Sequence, residues 1–218
     1  MYSEAARPNV PSMLLELLSH QNFYEMKFAL DPRFRFDVSR SIYKGMLKFL
    51  SEQYGMEYVV QPLPPAFFSA ELSKNGEVEL KWKAQVDSLE PTAKSEKFIL
   101  YTRENDGGFD NGKLFETTEI KLNVIKPGII YSYKVTAVNN GGESFPSEIL
   151  SVCWIKNSSD PILIVNGFDR VAPPASFDSP AFSGFVNFVD EGVPDKYELG
   201  FTGTQFNFDP NSKWLTDD

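Results

Sequence analysis

The feature that most constrains the fold is a run of short β-strand patterns separated by turn sequences, between residues 62 and 153. Residues 78–82 alternate apolar and charged side chains, as a strand with one buried face does. Residues 97–103 and 131–139 form two further strand patterns. Clusters of Gly, Asn, Asp and Pro mark turns at 74–76, 105–108, 126–128 and 139–142. Since no helical period lies between these strands, the pattern predicts a small antiparallel sandwich.

The same residues carry a family resemblance. Trp82 lies in the second strand and Tyr101 in the third, after a proline-rich start. An alternating Tyr-x-Tyr-x-Val-x-Ala-x-Asn run follows at 131–139, then Gly-Gly-Glu-Ser at 141–144 and Pro-Ser-Glu at 146–148. In this order the residues resemble a fibronectin type III domain, which implies that Trp82 and Tyr101 are core residues. Such sandwiches serve as spacers, adhesion modules and carbohydrate-associated domains, so the fold alone does not identify a function.

Composition and charge limit the function classes. The 218 residues include 30 acidic and 21 basic side chains, a net charge of −9. This balance disfavours nucleic acid as a partner, because phosphate binding needs clustered Lys and Arg. No run of the sequence approaches the ~18 apolar residues of a membrane span. The single cysteine, Cys153, excludes an internal disulfide and a thiolate metal cluster.

Residues 1–57 differ from the central run and predict part of an α/β domain. Pro11–Leu18 is a short apolar run that predicts a buried strand, with a helix as the alternative. A helix is predicted from Asn22 to Leu30, and a longer one from its expected N-cap Asp37 to a stop at Gly55. The apolar stripe of the longer helix consists of Ile42, Tyr43, Met46, Leu47, Leu50 and Tyr54. One strand cannot make a sheet, so this segment is predicted to be the end of a larger domain.

A second resemblance involves residues 10–46. The Val-Pro-Ser-Met-Leu-Leu-Glu-Leu-Leu-Ser run at 10–19, a helix, the Leu-Asp-Pro-Arg-Phe-Arg run at 30–35 and a closing helix resemble the end of a zinc-dependent N-acetylmuramoyl-L-alanine amidase. In that family a late strand delivers a glutamate to the catalytic zinc site, and Glu16 matches its position. The resemblance implies that two histidines and a further glutamate, which bind zinc, would lie before Met1. We therefore expect Glu16 to be catalytic only in an intact parent, and this chain to bind neither zinc nor another cofactor.

The chemistry of such a site explains the role given to Glu16. Zinc with three protein ligands and an open position lowers the pKa of its bound water toward ~7. A nearby carboxylate can then carry the proton as hydroxide attacks an amide carbonyl. The alternative is that Glu16 is solvated or paired with Arg7 at a strand end. His20, the only histidine, is predicted to be a surface or helix-capping residue, because one histidine cannot form a zinc site.

Residues 58–65 are predicted to be a proline-rich linker of semi-rigid, extended geometry, and residues 66–156 to be the sandwich domain. Within the sandwich, Asp106, Asp110 and Asn111 lie among glycines and offer oxygen ligands for calcium. Because they do not match an EF-hand loop, an ordinary hairpin loop is favoured. Asn157 begins a glycosylation sequon, a pattern that is common by chance.

Residues 157–218 predict the start of another α/β domain. Residues 161–170 form a continuous apolar strand pattern leading into a loop, without a dinucleotide-binding glycine motif. Residues 164–177 resemble the segment after the fibronectin-like module in bacterial surface proteins labelled xanthan-lyase-like, which often end in a golvesin-type domain. No Tyr/His or Arg/Lys set for polysaccharide elimination can be assembled. Four aromatic residues could stack on sugar rings or, as we favour, be buried against missing parts of their own domain: Phe182, Phe185, Phe188 and Trp214.

The predicted fold class is therefore multidomain, a central all-β fibronectin type III sandwich flanked by partial α/β segments. The order of the resemblances implies a fragment of a larger bacterial protein that is exported to the periplasm, the cell surface or the medium. Two functions stay open. In one, the parent is a cell-wall amidase acting on peptidoglycan, and the sandwich spaces its domains. In the other, the parent is a non-catalytic or polysaccharide-directed surface protein with an adhesion or binding role. We predict that the chain itself is inactive as an enzyme; its oligomeric state is left open.

Overall fold

A computed structural model describes residues 6–19, 21–156, 162–163, 173–180, 183–185 and 207–208. These residues divide into two compact units. One contains the described residues up to Tyr43 and those beyond residue 163, and the other contains the described residues of Lys44–Leu163. No helix in the described part of the chain combines the length and the apolar character needed to cross a membrane.

The second unit is built around an antiparallel sandwich. Its strands are β1 (Ala66–Leu72), β2 (Val78–Lys83), β3 (Lys97–Glu104), β4 (Lys113–Phe115), β5 (Glu119–Leu122), β6 (Ile130–Asn139), β7 (Gly142–Glu143) and β8 (Leu150–Cys153). One sheet has the order β1-β2-β5, and the other has the order β4-β3-β6-β7 with β8 also paired to β6. The three strands predicted within the central run are β2, β3 and β6, which confirms the predicted fold class for this part of the chain.

The core lies between the two sheets and follows the two-residue period of the strands. Val78, Leu80 and Trp82 point inward from β2, and every second residue of β6 from Tyr131 to Ala137 is buried against them. Trp82 is only 3% exposed, and its ring makes edge contacts with Phe68 and Phe98. The prediction that Trp82 is a core residue is confirmed.

Tyr101 is not in the core, and that prediction is wrong. Phe98 and Leu100 of β3 point inward, so Tyr101 faces the opposite side of the sheet and is half-buried there. Its hydroxyl donates a hydrogen bond of 2.7 Å to Glu143. This hydrogen bond, together with burial, raises the pKa of Tyr101 to about 12.

Beyond β7 the pairing with β6 continues through two serine side chains. The backbone N–H groups of Ser144 and Ser147 donate to the carbonyls of Ala137 and Val135, each at 2.8 Å. In return, the hydroxyl oxygens of the two serines accept the N–H groups of Ala137 (2.9 Å) and Val135 (3.0 Å). Because all four groups are satisfied, a segment that is not itself a strand can cover this edge of β6.

Two helices precede the sandwich. Helix α1 (Phe23–Ala29) is capped by Asn22, whose side chain accepts the N–H groups of Tyr24 and Glu25, as the predicted helix at 22–30 requires. Helix α2 (Pro32–Tyr54) begins earlier than predicted. The Asp31 carboxylate accepts the Arg33 N–H at 2.9 Å and Pro32 takes the first helical position, so the predicted cap at Asp37 is wrong. The predicted stop at Gly55 is confirmed by its φ of 63°.

The strand predicted at Pro11–Leu18 is also wrong, and its helical alternative is not formed either. Residues 11–19 have no regular secondary structure. The side chains of Met13, Leu14, Leu15 and Leu17 are 46–66% exposed. A strand is stable only when its backbone groups pair with a neighbour, and no described strand pairs with this segment.

Three short antiparallel strands belong to the first unit: β9 (Ser176–Asp178), β10 (Ser183–Phe185) and β11 (Asn207–Phe208). Phe185 is buried and its ring contacts that of Phe23 of α1 at a tilted angle, with ring centroids 5.5 Å apart. The Tyr24 hydroxyl donates to Asp178 at 3.4 Å. The sequence places these two segments in different predicted domains, whereas in the structure they share one small core. The strand predicted at 161–170 lies mostly outside the described residues.

Candidate functional site: the two ends of the sandwich

The chain joins the sandwich at one end and leaves it at the other. Strand β6 runs the full length between them, from Ile130 beside the last strand to Asn139 beside the first segment. Its ten residues span ~30 Å from the first Cα to the last, at about 3.3 Å per residue. We call the contacts around Tyr58, Val60, Glu90 and Asn139 the N-terminal attachment, and those around Gly76 and Trp154 the C-terminal attachment.

A buried carboxylate lies at the centre of the N-terminal attachment. Glu90 is 8% exposed and accepts hydrogen bonds from the hydroxyls of Tyr58 (2.9 Å) and Thr92 (2.8 Å). The ammonium of Lys44, in the second half of α2, lies 3.7 Å from the same carboxylate. Burial by itself raises the pKa of Glu90, but the hydrogen bonds from Thr92 and Tyr58 and the charge of Lys44 outweigh it. The net result is a pKa below the ordinary value.

The backbone of the N-terminal attachment is held at Val60, which is fully buried. Its N–H donates to the Thr92 hydroxyl at 3.1 Å, and its carbonyl accepts the Asn139 side-chain amide at 2.9 Å. The same amide donates to the Thr92 carbonyl at 3.1 Å, and its oxygen accepts the Gly141 N–H at 2.8 Å. A Cβ at Gly141 would overlap the Val59 carbonyl, so only glycine allows the chain to pass this close to the β6–β7 turn.

These contacts involve the segment 58–65, which the sequence identifies as a linker. It has no regular secondary structure, as its prolines predict, but Val60, Pro62 and Pro65 are buried against the sandwich. The segment is thus packed along the domain for part of its length. That it separates two domains stays a prediction.

The C-terminal attachment is formed by Trp154, directly after β8. The indole N–H donates to the Lys74 carbonyl at 3.2 Å, and the Trp154 carbonyl accepts the Gly128 N–H at 2.8 Å. The ring covers Gly76, where a Cβ would lie 2.6 Å from the indole and where φ is +85°. Both the close approach and the positive φ require glycine at this turn. Trp154 therefore fastens the end of the sandwich to the β1–β2 and β5–β6 turns.

A cleft of about 520 Å³ adjoins Glu90 and the last turns of α2. Its other lining residues are Lys48, Ser51, Glu52, Met56 and Tyr58. Across the described ranges, no group of three or more His, Cys, Asp or Glu side chains is arranged to hold a metal ion.

The described residues that the sequence predicts as sites are not among those that form the two attachments. Glu16 is exposed in the irregular segment 11–19, and its role as a catalytic base in a longer protein stays a prediction. Phe185 is buried, but against Phe23 of the predicted amidase-like segment and not against parts of its own predicted domain. Cys153 is exposed. Four other predicted residues, His20, Phe182, Phe188 and Trp214, and the sequon at Asn157 lie outside the described residues.

The loop considered for calcium is a hairpin connection between β3 and β4. One carboxylate oxygen of Asp110 accepts the N–H groups of Thr102 and Gly112, each at 3.0 Å. The Asp110 N–H donates to the Thr102 carbonyl at 2.9 Å. Asp106 and Asn111 are exposed. The favoured interpretation as an ordinary hairpin loop is confirmed, because this carboxylate closes the hairpin.

The residues that fasten the two ends are not evident from the sequence. Gly76 and Gly141 are recognisable there as turn residues, but nothing marks Glu90 or Trp154. Tyr58 and Glu90 are 32 residues apart, and Lys74 and Trp154 are 80 residues apart. A local pattern does not reveal such pairs. The one available signal is a tryptophan directly after the final strand pattern, opposite a turn glycine.

Residues 63–152 match the family model described as the fibronectin type III domain. Among solved structures, the chain is similar to the twitchin kinase region from C. elegans (22% identity, TM-score 0.40), covering 46% of this chain and 18% of that one. It is similar to the FN1–FN3 domains of chicken CNTN1 (17% identity, TM-score 0.36), covering 44% and 33%. It is also similar to the FN5 domain of Drosophila Lar (18% identity, TM-score 0.34), covering 43% and 97%. The chain thus spans less than a fifth of the twitchin structure. No curated protein matches it.

Proposed function

Given that residues 63–152 form a fibronectin type III domain, we propose that this domain acts as a stiff spacer in a multidomain protein. It would keep the point where the chain enters the sandwich ~30 Å from the point where it leaves, the length of β6. The observation that carries the proposal is that the segments directly before and directly after the strands are both fastened to the sandwich. Val60 and Glu90 fasten one end, and Trp154 fastens the other.

The stiffness follows from the number and type of contacts. Bending the chain at the N-terminal attachment would break hydrogen bonds at Val60, Glu90 and Asn139, each worth ~1 kcal/mol. Bending at the C-terminal attachment would separate the Trp154 ring from Gly76 and leave the Gly128 N–H without its acceptor. A freely jointed tether carries none of these costs.

The test is the distribution of distances between two spin labels, one at Glu57 before the N-terminal attachment and one at Lys156 after the C-terminal attachment. Cys153 is first replaced by Ser. We expect a single narrow distribution, which Trp154→Ala broadens. Leu114→Ala, at an exposed position of β4, is the matched control and should leave the width unchanged. A wild-type distribution as broad as that of a flexible chain would contradict the spacer proposal.

We further propose that the spacer belongs to an exported, amidase-like protein that acts on peptidoglycan in the cell wall. The resemblance of residues 10–46 supports this proposal, and helices α1 and α2 lie in the region where that resemblance expects two helices. Export is supported by the domain type, which is common in extracellular proteins. Zinc would be held by residues upstream of Met1, with Glu16 as the base. The alternative parent, a polysaccharide-directed surface protein without zinc, would lack those ligands.

The amidase proposal is tested in a protein extended upstream to include the expected two histidines and glutamate. There, Glu16→Gln should retain zinc while reducing hydrolysis of the muramoyl-L-alanine amide by ~10²- to 10⁴-fold. Unchanged turnover would show that Glu16 is only a structural carboxylate. Loss of zinc would show that Glu16 binds the metal or orients a residue that does. The present chain should bind no stoichiometric zinc and release no product.

A further inference from the structure

Of the strands that the structure describes, β1 is the longest one with an open edge. It pairs with β2 on one side, and no described strand pairs with its other side. It has seven residues, whereas the other edge strands of the sandwich, β4, β5, β7 and β8, have two to four. Its sequence contains one charged side chain and neither proline nor glycine. A regular strand of this kind readily pairs with a strand of another molecule.

A β-bulge interrupts β1 near its start. The pairing register with β2 shifts by one residue between Ala66 and Ser69. Phe67 and Phe68 therefore lie together opposite one residue of β2, Trp82. Phe68 is buried against the Trp82 ring, with centroids 6.4 Å apart, and Phe67 is the extra residue of the bulge. The bulge bends the strand and disrupts the ladder at this point.

The backbone of Phe67 has a conformation that is unfavourable for a bulky side chain. Its φ is +52°, in the left-handed region where the first residue of a bulge is usually glycine. Among the described residues, the other non-glycine with a positive φ is Asn105, and asparagine tolerates this region. The Asn105 side chain also accepts the Ile130 N–H at 3.1 Å. The bulge at Phe67 is therefore strained, whereas the turn at Asn105 is not.

The contacts of the Phe67 side chain offset little of this strain. The side chain is 79% exposed. Its ring lies 5.2 Å from the Lys83 ammonium, and an exposed contact between a cation and a ring is weak. The core does not require the extra residue either. With one residue fewer, Ala66 and Phe68 would lie opposite the same residues of β2 in a regular ladder. Core packing therefore does not explain the bulge.

We propose that the bulge at Phe67 prevents the open edge of β1 from pairing with the same edge of a second copy of this chain. A regular edge offers evenly spaced N–H and C=O groups to an incoming strand, whereas a bulge disrupts that spacing and twists the edge away. The strain at Phe67 lowers the stability of the sandwich and, in return, keeps it monomeric. This inference does not depend on the spacer proposal.

The test compares two variants of the full chain that both lose the exposed ring, although only one of them loses the bulge. Deletion of Phe67 makes β1 a regular strand. We expect this variant to fold and to self-associate with a constant at least about tenfold above that of wild type. Phe67→Gly keeps the bulge and is the matched control, which should remain monomeric. Sedimentation velocity over a series of concentrations measures association, and Trp82 fluorescence reports that each variant is folded.

Two further variants test the strain and the place of contact. Phe67→Gly should unfold at a higher denaturant concentration than Phe67→Ala, because only glycine adopts a positive φ without strain. Adding Ser69→Lys to the deletion variant places a charge on the edge of β1 and should restore the monomer.

Each of the opposite results would overturn the proposal. A deletion variant that stays monomeric would show that the bulge does not protect this edge, and one that does not fold would assign the bulge to folding instead. Association of Phe67→Gly equal to that of the deletion variant would assign the effect to the ring. Association that Ser69→Lys leaves unchanged would place the contact elsewhere. Wild type that associates with slowed amide exchange in β1 would show that this edge is open to pairing.

Discussion

Strand β6 and the segment from Pro11 to Leu18 are both rich in apolar side chains, but they bury them to very different extents. Tyr133 and Val135 of β6 are at most 1% exposed, whereas Met13 and Leu17 are 66% and 49% exposed. Strand β6 pairs with β3 along one edge and with β7 and β8 along the other. No described strand pairs with residues 11–18. The comparison indicates that an apolar stretch becomes a strand when its backbone N–H and C=O groups can pair with a neighbouring strand. Its local apolar content matters less.

The largest expected effect is at the centre of the sandwich. Trp82→Ala should lower the free energy of unfolding by ~3–5 kcal/mol, because a large buried ring between Phe68 and Phe98 is lost. Trp82→Phe should cost less, since it keeps most of the ring and removes an N–H with no partner among the described residues. Denaturant unfolding of the full chain measures both. A loss below about 1 kcal/mol for the alanine variant would contradict the core position of Trp82.

The next effect tests the edge of β6 that is covered by serine side chains. Ser147→Ala should cost ~1–3 kcal/mol, because the buried N–H of Val135 loses its acceptor. Ser144→Ala should lower the free energy of unfolding by a similar amount, because the N–H of Ala137 loses its acceptor. Ser88→Ala, in the exposed loop between β2 and β3, is the control and should be nearly neutral. If all three variants unfold at the same denaturant concentration, the serine hydroxyls do not hold this edge.

The sandwich could be predicted from the sequence because strands and turns are marked by local patterns. Alternation at 78–82 and turn glycines on either side are sufficient to place β2, and the same reasoning places β3 and β6. The same reasoning fails for Pro11–Leu18, whose pattern does not show that it has no partner strand. For Tyr101 the two-residue period that puts Leu100 inside correctly indicates an outward position, and it is the family resemblance that predicts the core position wrongly.

The candidate site could be predicted only in part. Gly76 and Gly141 are visible as turn residues, but their real requirement is space for Trp154 and for the Val59 carbonyl. The prediction of an N-cap at Asp37 is wrong, although Asp31-Pro32 supplies both a capping carboxylate and the residue preferred at the first helical position. That signal was present in the sequence. The contacts of Glu90 cannot be predicted in this way, because they depend on residues that only the folded sandwich brings together.

A smaller effect is expected at the buried polar group of the N-terminal attachment. The pKa of Glu90 is lowered in the folded state, so at acid pH the unfolded chain binds more protons through this group. Wild type should therefore be more stable than Glu90→Gln above its ordinary pKa of 4.5. The difference, ~1 kcal/mol for hydrogen bonds to a carboxylate, should shrink as the pH falls below that value. Unfolding curves at several pH values measure it, and a difference that grows toward acid pH would contradict the assignment.

The smallest expected effect is in the segment without a partner strand, where apolar side chains are already exposed. Leu14→Ser removes an apolar side chain that is 48% exposed, so it should change the free energy of unfolding by less than about 0.5 kcal/mol. Its backbone amide should exchange with solvent far faster than that of Val135, because it has no ladder hydrogen bond to break. Hydrogen exchange read at Leu14 and Val135 in the same sample compares the two regions directly. Protection at Leu14 equal to that at Val135 would mean that this segment has found a strand partner. The contrast between the two regions would then disappear.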